Sequence, residues 1–462
     1  MKTLICIPCL LTGGTEIQTL NTVQALVQDG HEVTVACYFE HTPEMLARYR
    51  EAGAEGILFS PEGVRVGGYK SILFLYKHLR RAVKAVHPDV AHVQYMAPGA
   101  TVILLLWLMG VKNIIATAHT AADIYRDLRL IHILQRRCLR AFTCITERAE
   151  RSFFGSSQLY TPDLVLGRRN HFTIYNSLPV QLGRSCNEDE YENENCLRNV
   201  ALNLTQTSQN SRNNISEQDN QRELDTITQN THCYARVGHP DGDSFAVTIT
   251  KTKTKTPSGV STEDSQLTTH SQQPRAKSQE PNTKLTLGVV SRLERIKGMD
   301  LVVPALAEVL KVHPDTQLLV VGDGTLRASM EEQAAQLACA DHIRFVGRQP
   351  QEELSRWYSQ MDIVLMPSRS EGFGLTAIEA MAYGCVMVAS DVGGLPEVVR
   401  DGICGLLHCT EDVADMASKI CSLIGDPALY AQLRAQSLVE VGKYSFERYS
   451  ALMNDLYNKL GR

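Results

Sequence analysis

The segment Asp362-Ile363-Val364-Leu365-Met366, followed closely by Ser370-Glu371-Gly372-Phe373-Gly374-Leu375-Thr376-Ala377-Ile378-Glu379, joins an apolar strand to a helix through a glycine-rich turn. A strand followed by a helix is the repeating unit of a parallel α/β sheet. Gly372 and Gly374 allow the backbone to approach a ligand closely, and the first N–H groups of the helix point into the turn. The segment therefore predicts an α/β fold with a site for an anionic phosphate.

Two carboxylates flank this turn. Glu371 precedes the predicted helix, and Glu379 lies more than one turn inside it by the helical period. The two side chains can therefore contact different parts of one ligand. The alternative is that Glu371 caps the helix and Glu379 is a solvated helix residue.

The same alternation of apolar strands and amphipathic helices recurs in both halves of the chain. The first half has predicted strands at 3–7, 32–38, 90–94 and 113–117, with helices at 14–28, 71–86 and 98–109. The second half has predicted strands at 285–290, 317–321, 343–346, 362–366, 386–390 and 405–407, with helices such as 301–311 and 326–337. This pattern predicts two Rossmann-like, doubly wound domains that face a ligand-binding cleft.

Length and composition limit the classes of protein that fit. The chain has 462 residues, 44% of them hydrophobic, which is enough for two substantial cores. A formal net charge of -5 gives no general signature of polyanion binding, so we predict no nucleic-acid partner. The 13 cysteines are scattered and the chain begins with a strand-like run at 4–7, which predicts a cytoplasmic protein. The longest apolar run, 102–109, is too short to span a bilayer.

The composition changes over residues 184–284, where Asn, Gln, Ser, Thr and charged residues replace the apolar periodicity. Such a composition predicts a disordered insert without a core of its own. Its low-complexity stretch Lys251-Thr252-Lys253-Thr254-Lys255-Thr256-Pro257-Ser258 is interpreted as part of a solvated linker, with a basic patch for an anionic partner as the alternative.

A basic loop, Ser291-Arg292-Leu293-Glu294-Arg295-Ile296-Lys297-Gly298, directly follows the predicted strand at 285–290. Arg292 and Lys297 would together neutralise a diphosphate whose charge grows as a leaving group departs. Taken alone, such a loop is equally typical of solvated surface.

A third glycine-containing turn, Gly13-Gly14-Thr15-Glu16, follows the first strand and opens the first helix. It is a weak candidate for a phosphate loop. The third glycine of the dinucleotide fingerprint is missing, which disfavours a nicotinamide cofactor. Thr15 and Glu16 are interpreted as helix-capping residues.

His119 follows the predicted strand at 113–117 and would face the cleft, although a lone histidine is more often structural. The other histidines form no zinc-like cluster with cysteines or carboxylates, so no metal site is predicted. The stretch Cys6-Ile7-Pro8-Cys9 has the spacing of a thiol redox site, but the helix begins only after Gly13. We therefore interpret these cysteines as small buried hydrophobes.

The ordered set of motifs resembles that of retaining GT-B glycosyltransferases of the family 4 type, also called glycosyl transferases group 1. The set consists of the turn at 13–16, the loop at 291–298, the segment at 371–379 and Asp391-Val392-Gly393-Gly394-Leu395-Pro396-Glu397-Val398-Val399. The resemblance covers nearly the whole chain outside 184–284. Asn176 is followed by Ser177, where the family commonly has glycine.

The resemblance implies a role for each matching residue. Glu371 would hold the donor sugar, and His119 would contact the sugar and line the reaction centre; these two are the predicted catalytic residues. Arg292 and Lys297 would bind the donor diphosphate, and Glu379 would hold the ribose hydroxyls. The other donor-binding predictions are Gly14 near the diphosphate, Arg348 in the base-reading loop, and the backbone of Phe373, Gly374, Leu375 and Thr376.

The resemblance also implies a domain plan and an activity. Residues 1–183 would form the acceptor domain and 285–444 the nucleotide-sugar donor domain, with a final helix at 445–462 packing back on the first. The expected reaction moves a sugar from a UDP- or GDP-sugar to a hydroxyl of a glycan or lipid-linked acceptor, in cell-surface polysaccharide or glycolipid synthesis. No cofactor and no metal are expected. The alternatives are a non-catalytic nucleotide-binding scaffold and a GT-B epimerase or phosphorylase.

A basic stretch at 126–140, with interleaved leucines and isoleucines, bears on localisation. It predicts possible peripheral association with the inner face of an anionic membrane. A core-packed helix with solvated arginines is the alternative.

Overall fold

The structure, a computed structural model, describes residues 1–94, 99–122, 125, 128–167, 170–179 and 285–461. The predicted insert at 184–284 lies outside the described residues, as do Arg126 and Asp127 of the basic stretch.

The first half of the chain forms a sheet of seven parallel strands in the order β3-β2-β1-β4-β5-β6-β7. Its strands are β1 (Lys2–Ile7), β2 (Glu32–Cys37), β3 (Glu55–Leu58), β4 (Val90–Gln94), β5 (Ile114–Ala118), β6 (Ala141–Cys144) and β7 (His171–Thr173). Its helices are α1 (Gly14–Gln28), α2 (Pro43–Glu51), α3 (Lys70–Val86), α4 (Gly99–Leu108), α5 (Arg129–Arg137) and α6 (Glu147–Phe154).

The second half forms a sheet of six parallel strands in the order β10-β9-β8-β11-β12-β13. Its strands are β8 (Thr286–Val290), β9 (Gln317–Val321), β10 (Ile343–Gly347), β11 (Ile363–Met366), β12 (Val386–Ser390) and β13 (Gly405–His408). Its helices are α7 (Met299–Leu310), α8 (Arg327–Gln336), α9 (Leu354–Tyr358), α10 (Leu375–Ala382), α11 (Leu395–Val398), α12 (Val413–Gly425) and α13 (Pro427–Val441), and the last helix is α14 (Phe446–Leu460).

Both sheets are doubly wound, as the alternating pattern predicted. In β1, Leu4 and Cys6 point into one core while Ile5 and Ile7 point into another. A strand buried on both faces explains why its sequence is a continuous apolar run. The strand order reverses between β1 and β4 and again between β8 and β11, which are the positions where such sheets bind ligands.

Several short elements of the first half were not predicted. The edge strand β3 has only four residues, which are exposed or half-buried, and β7 has three. Such segments carry too few alternating residues to give a periodic signal. The elements with predicted bounds were observed within a few residues of them, but α12 and α13 of the second half had no predicted bounds.

The last helix, α14, packs against α1 of the first sheet. Its Tyr449 hydroxyl lies 2.7 Å from Thr22 Oγ1, and its Tyr457 hydroxyl lies 2.8 Å from His92 Nδ1. All four side chains are buried. The end of the chain therefore completes the core of the first half.

Within the part of the chain that the structure describes, no helix has both the length and the apolar character needed to cross a membrane. The helix α5 places Ile131 and Leu134 in the core and exposes Leu130 and Ile133.

The contact between Tyr457 and His92 gives a stability prediction. Replacing Tyr457 by Phe leaves Nδ1 of the buried His92 without this partner, which costs about 1–3 kcal/mol. Urea unfolding of Tyr457→Phe should show that decrease in the free energy of unfolding. The matched change Tyr76→Phe, at an exposed tyrosine, should alter it by less than about 0.5 kcal/mol. Equal effects of the two variants would contradict the assigned contact.

Candidate active site

The glycine-rich turn between β11 and α10 leaves no room for side chains at its glycines. Gly374 has a φ of 103°, in the left-handed region that favours glycine. A Cβ at Gly372 would lie 2.5 Å from the carbonyl oxygen of His119, which follows β5 of the first sheet. The turn is therefore pressed against the first sheet, with the backbone of Gly372 next to that of His119.

Lys297 and Glu371 form an ion pair at the carboxyl ends of β8 and β11. The Lys297 ammonium donates to Oε2 of Glu371 at 2.6 Å. Their side chains are only 23% and 13% exposed, so the pair is partly desolvated. Lys297 ends a 3-10 turn that follows β8, as the basic loop predicted. The charges that this site would offer a ligand are thus concentrated at one point.

A residue that sequence reasoning missed holds the two loops together. The Arg369 guanidinium donates to both oxygens of Asp300, at 2.7 and 2.9 Å, and its backbone N–H donates to the carbonyl of Ile296. Close by, a Cβ at Gly298 would lie 1.8 Å from the carbonyl oxygen of Pro367. Arg369 could not be identified from local sequence, because its partner Asp300 is far away along the chain.

Glu379 is buried inside α10, so the interpretation as a solvated helix residue is wrong. The Tyr358 hydroxyl donates to its Oε2 at 2.8 Å, and the Gln351 side-chain amide donates to its Oε1 at 3.1 Å. Burial raises the pKa of Glu379 from 4.5 to about 7, although both hydrogen bonds oppose the shift. Near neutral pH this carboxyl group therefore exchanges between its charged and neutral forms.

His119 lies at the end of β5 and is buried. Its Nε2 lies 2.7 Å from Oε1 of Gln94, the last residue of β4. With the amide oriented in this way, the imidazole Nε2 carries the proton. Burial lowers the pKa of His119 to about 3, so the ring is neutral at physiological pH. Gln94 is a second residue that sequence reasoning missed.

Gly14 and Arg348, two of the predicted donor-binding residues, lie at the boundary between the two sheets. A Cβ at Gly14 would lie 3.3 Å from Cδ1 of Leu375, and the Arg348 guanidinium donates to Oγ1 of Thr12 at 3.1 Å. Arg292 is exposed. Gly14 and Arg348 are therefore placed where residues of the two sheets are in contact.

The remaining predicted residues differ in what they present. Leu375 and Thr376 form the first two positions of α10, where backbone N–H groups lack partners within the helix. The Phe373 side chain is buried with its ring centroid 5.6 Å from that of Tyr444. The Phe373 side chain is therefore part of the core.

The cysteine pair near the start of the chain lacks the chemistry of a redox site. Burial raises the pKa of both Cys6 and Cys9 to about 12, and the Glu16 charge adds to the shift at Cys9. The Cys9 thiol donates to the Glu16 carboxylate at 3.2 Å. Neither sulfur is a ready thiolate.

Ser177, the departure from the family's glycine, fits its place. Its hydroxyl accepts a hydrogen bond from the Asn21 amide at 3.0 Å, and its N–H donates to Oε1 of Gln18 at 3.0 Å. Ser177 is not one of the described non-glycine residues that have a positive φ. Glycine is therefore not required there.

Glu397 belongs to the motif at 391–399, but sequence reasoning assigned it no role; in the structure it joins the two sheets. Its carboxylate accepts the backbone N–H groups of Glu147 and Arg148, at 2.8 and 2.6 Å. These are the first two residues of α6, and the next N–H, of Ala149, is capped by Thr146. A carboxylate from the second half thus completes the N-terminal cap of a helix in the first half.

Among the described residues, no group of three or more His, Cys, Asp or Glu side chains is arranged to hold a metal ion. A cavity of about 10 Å³, the size of one water molecule, lies behind His119. Its lining includes Gln18, Gln94, Asn176 and Tyr449, and none of the predicted donor-binding residues.

Models of two glycosyltransferase families match the chain. Residues 12–158 match Glycosyltransferase Family 4, and residues 271–438 match Glycosyl transferases group 1. The two matches fall on the two sheets, in the order that the motifs indicated. The chain belongs to the glycosyltransferases of the group 1 and family 4 type, and it has the GT-B fold.

The relatives and neighbours of this family member differ in how much they share with it. A D-inositol 3-phosphate glycosyltransferase of Corynebacterium kroppenstedtii is 33% identical over 178 residues, which are 37% of this chain and 40% of that relative. The Anabaena protein HepE, solved in complex with UDP, has a TM-score of 0.65 and 14% identity, covering 99% of this chain and 100% of that one. A glycosyltransferase from Rickettsia africae has a TM-score of 0.65 and 15% identity, covering 99% and 98%. The structural likenesses show the fold alone.

The burial of Glu379 predicts a pH-dependent stability. The folded protein binds the Glu379 proton more tightly than the unfolded chain does. Protonated Glu379 therefore contributes to the free energy of unfolding at low pH, and this contribution is lost as the pH rises through about 7. Glu379→Gln should therefore be more stable than the wild type at about pH 8, by on the order of 3 kcal/mol, and similar at about pH 5. Thermal or urea unfolding at both pH values measures the difference.

The control for this variant is Glu331→Gln, at a half-exposed carboxylate in α8. It should show no comparable gain in stability between the two pH values. A Glu379→Gln variant that tracks the wild type throughout would show that Glu379 ionises normally.

The Glu397 clamp predicts a loss of stability. Glu397→Ala leaves two N–H groups of α6 without their acceptor, which costs about 1.5–3 kcal/mol because the acceptor is charged. Urea unfolding measures this loss, and Glu397→Gln, which keeps one acceptor oxygen, should lie between. Glu44→Ala, in the first turn of α2, is the matched control and should cost only about 0.3–1 kcal/mol. If Glu397→Ala lowered the free energy of unfolding no more than Glu44→Ala does, the assigned hydrogen bonds would be refuted.

Proposed function

We propose that the protein is a retaining glycosyltransferase that moves a sugar from a UDP- or GDP-sugar to a hydroxyl of a glycan or lipid-linked acceptor. The observation that carries this proposal is the partly desolvated Lys297–Glu371 pair beside a glycine turn and a helix N-terminus. A diphosphate is bound well by a cationic side chain such as Lys297 together with the N–H groups at a helix N-terminus. HepE, which shares the fold, was solved with UDP, and this supports UDP as the nucleotide of the donor.

In the proposed mechanism, Lys297 and Arg292 bind the diphosphate together with the first N–H groups of α10. Negative charge grows on the diphosphate as the bond from the sugar's anomeric carbon to the phosphate oxygen breaks. Fixed positive groups in a partly dry site stabilise that charge in the transition state. This assignment needs no metal ion or cofactor, as the resemblance implies.

The ion pair gives donor binding a second effect. When the phosphate takes hydrogen bonds from Lys297, the Glu371 carboxylate loses part of its present partner. It is then available to accept hydrogen bonds from hydroxyls of the donor sugar. Binding of phosphate by Lys297 thereby leaves Glu371 able to bind the sugar.

His119 takes part as a neutral hydrogen-bonding group, since burial keeps its pKa near 3. Its partner Gln94 is a positioning residue that fixes the ring orientation. We assign the acceptor's proton to the departing phosphate, with attack on the same face of the sugar. Glu371 is not a nucleophile in this scheme.

We propose the acceptor class that the resemblance implies, a glycan or a lipid-linked acceptor of cell-surface polysaccharide or glycolipid synthesis. We also propose that the protein acts in the cytoplasm. A lipid-linked acceptor would bring it to the inner face of the membrane.

A ligand panel tests the proposal. UDP, GDP, ADP, CMP and NAD are each added to the purified protein, and the thermal unfolding midpoint is measured. A nucleotide at about 100 times its dissociation constant adds about 2.7 kcal/mol to the free energy of unfolding. We expect a shift with one nucleoside diphosphate and loss of that shift in Lys297→Met, because the variant keeps the volume of the side chain but not its charge.

The matched control is Lys311→Met. Lys311 also donates to a glutamate at 2.6 Å, but it lies on the surface at the end of α7. It should keep the full shift. Release of the diphosphate from the matching nucleotide sugar should fall by about 10²–10³ in Lys297→Met. Binding without turnover would indicate a scaffold, conversion between nucleotide sugars would indicate an epimerase, and no response to any diphosphate would refute the proposal.

A further inference from the structure

The helices α3, α4 and α5 lie side by side over one face of the first sheet. The helix α3 packs against α4, and α4 packs against α5. Their inward residues belong to one core, which includes Leu75, Leu79, Val102, Leu106, Ile131 and Leu134. Their outward sides therefore form a single surface, which we call the outer helix layer.

The outer helix layer exposes an unusual share of large apolar side chains. Nine of the nineteen exposed large hydrophobic residues in the described part of the chain lie on it. They are Tyr69, Ile72, Leu73 and Tyr76 at the start of α3, Leu104, Trp107 and Leu108 on α4, and Leu130 and Ile133 on α5. Scattered single hydrophobics are normal on a protein surface, but a concentration of this kind marks an interaction site.

The same layer carries charge of one sign only. The helices α3, α4 and α5 contain eight lysines and arginines and no aspartate or glutamate, although the chain as a whole has a net charge of -5. The eight are Lys70, Lys77, Arg80, Arg81, Lys84, Arg129, Arg136 and Arg137, and all are exposed. By contrast, α2 and α6 carry both signs.

On α3 the two kinds of side chain share one face. Tyr69, Leu73 and Tyr76 are followed at helical spacing by Arg80 and Lys84. On this face of α3, the apolar residues lie in the first two turns, and Arg80 and Lys84 lie in the later turns. An interfacial helix has the same two components, an apolar part that enters the acyl boundary and cations that meet the headgroups.

We propose that the outer helix layer docks on a bilayer that contains anionic phospholipid. The phosphates of such lipids complement the basic residues, and Trp107 and the tyrosines are side chains that suit a membrane interface. The surface is wider than the basic stretch at 126–140 that the sequence suggested, because α3 and α4 contribute most of its apolar residues.

The charges argue against a second copy of this chain as the occupant. An isologous dimer would bring the same eight cations of each copy face to face, which is repulsive. A nucleic acid would use the cations but leave the exposed leucines and isoleucines without a role. A bilayer takes both.

This inference goes beyond the proposed function, because vesicle binding requires neither donor nor turnover. Flotation of the full chain with phosphatidylcholine vesicles, with and without phosphatidylglycerol, tests it. We expect binding only to the anionic vesicles and weaker binding at high salt, since ions screen the basic residues. Lys77→Glu/Lys84→Glu should reduce the partition coefficient by roughly 25-fold or more, taking about fivefold for each cation.

Leu73→Ser/Tyr76→Ser should also reduce binding, without changing the thermal midpoint, because both side chains are exposed. The matched charge control is Arg50→Glu/Lys311→Glu, which reverses two exposed cations on α2 and at the end of α7. It should bind as the wild type does.

Three results would overturn the proposal. The first is no binding to anionic vesicles, and the second is an equal loss in the control and in the layer variants. The third is a dimer in sedimentation that the layer variants dissociate, with no vesicle binding, which would make the layer an interface between copies. Failure of the nucleotide panel would leave all three readouts intact.

Discussion

Backbone contacts with no space for a side chain fix the relation between the two sheets, and the candidate site depends on them. Gly372 meets the carbonyl of His119, and a Cβ at Gly394 would lie 2.6 Å from a methyl carbon of Thr146. A larger residue at either position would push the glycine-rich turn away from the first sheet. Glu397 acts at the same boundary by capping α6. The site is therefore held by packing limits and charge together.

Inside this boundary the protein keeps most ionisable groups neutral or paired. Burial lowers the pKa of His119 and so keeps its ring neutral. Burial also raises the pKa of Glu379 to about 7. Lys297 is paired with Glu371. A dianionic ligand would thus meet a site whose strongest positive group is already partly dehydrated, so less water has to be removed on binding.

The sequence predicted the features that depend on local pattern. The buried parallel strands and the glycine turns follow from residues close together along the chain, whereas the ion pair between Lys297 and Glu371 joins two loops far apart in sequence and was not predicted. Arg369, Gln94 and Glu397 could not be assigned in this way, because each acts through a partner that only the fold brings near. Glu379 shows the same limit. Its spacing placed it on a helix, but its burial depends on Tyr358 and Gln351 in another element. The short edge strand β3 lacked a periodic signal altogether.

The packing of α14 on α1 has a consequence for how the chain is made. A ribosome releases the residues of the first sheet long before it reaches residues 446–460. Thr22 and His92 are therefore synthesised well ahead of Tyr449 and Tyr457, which cover them in the finished protein. Domains generally fold as units during synthesis, starting from the N-terminus. Here the first unit has to wait with one side of its core uncovered until translation of the second is complete.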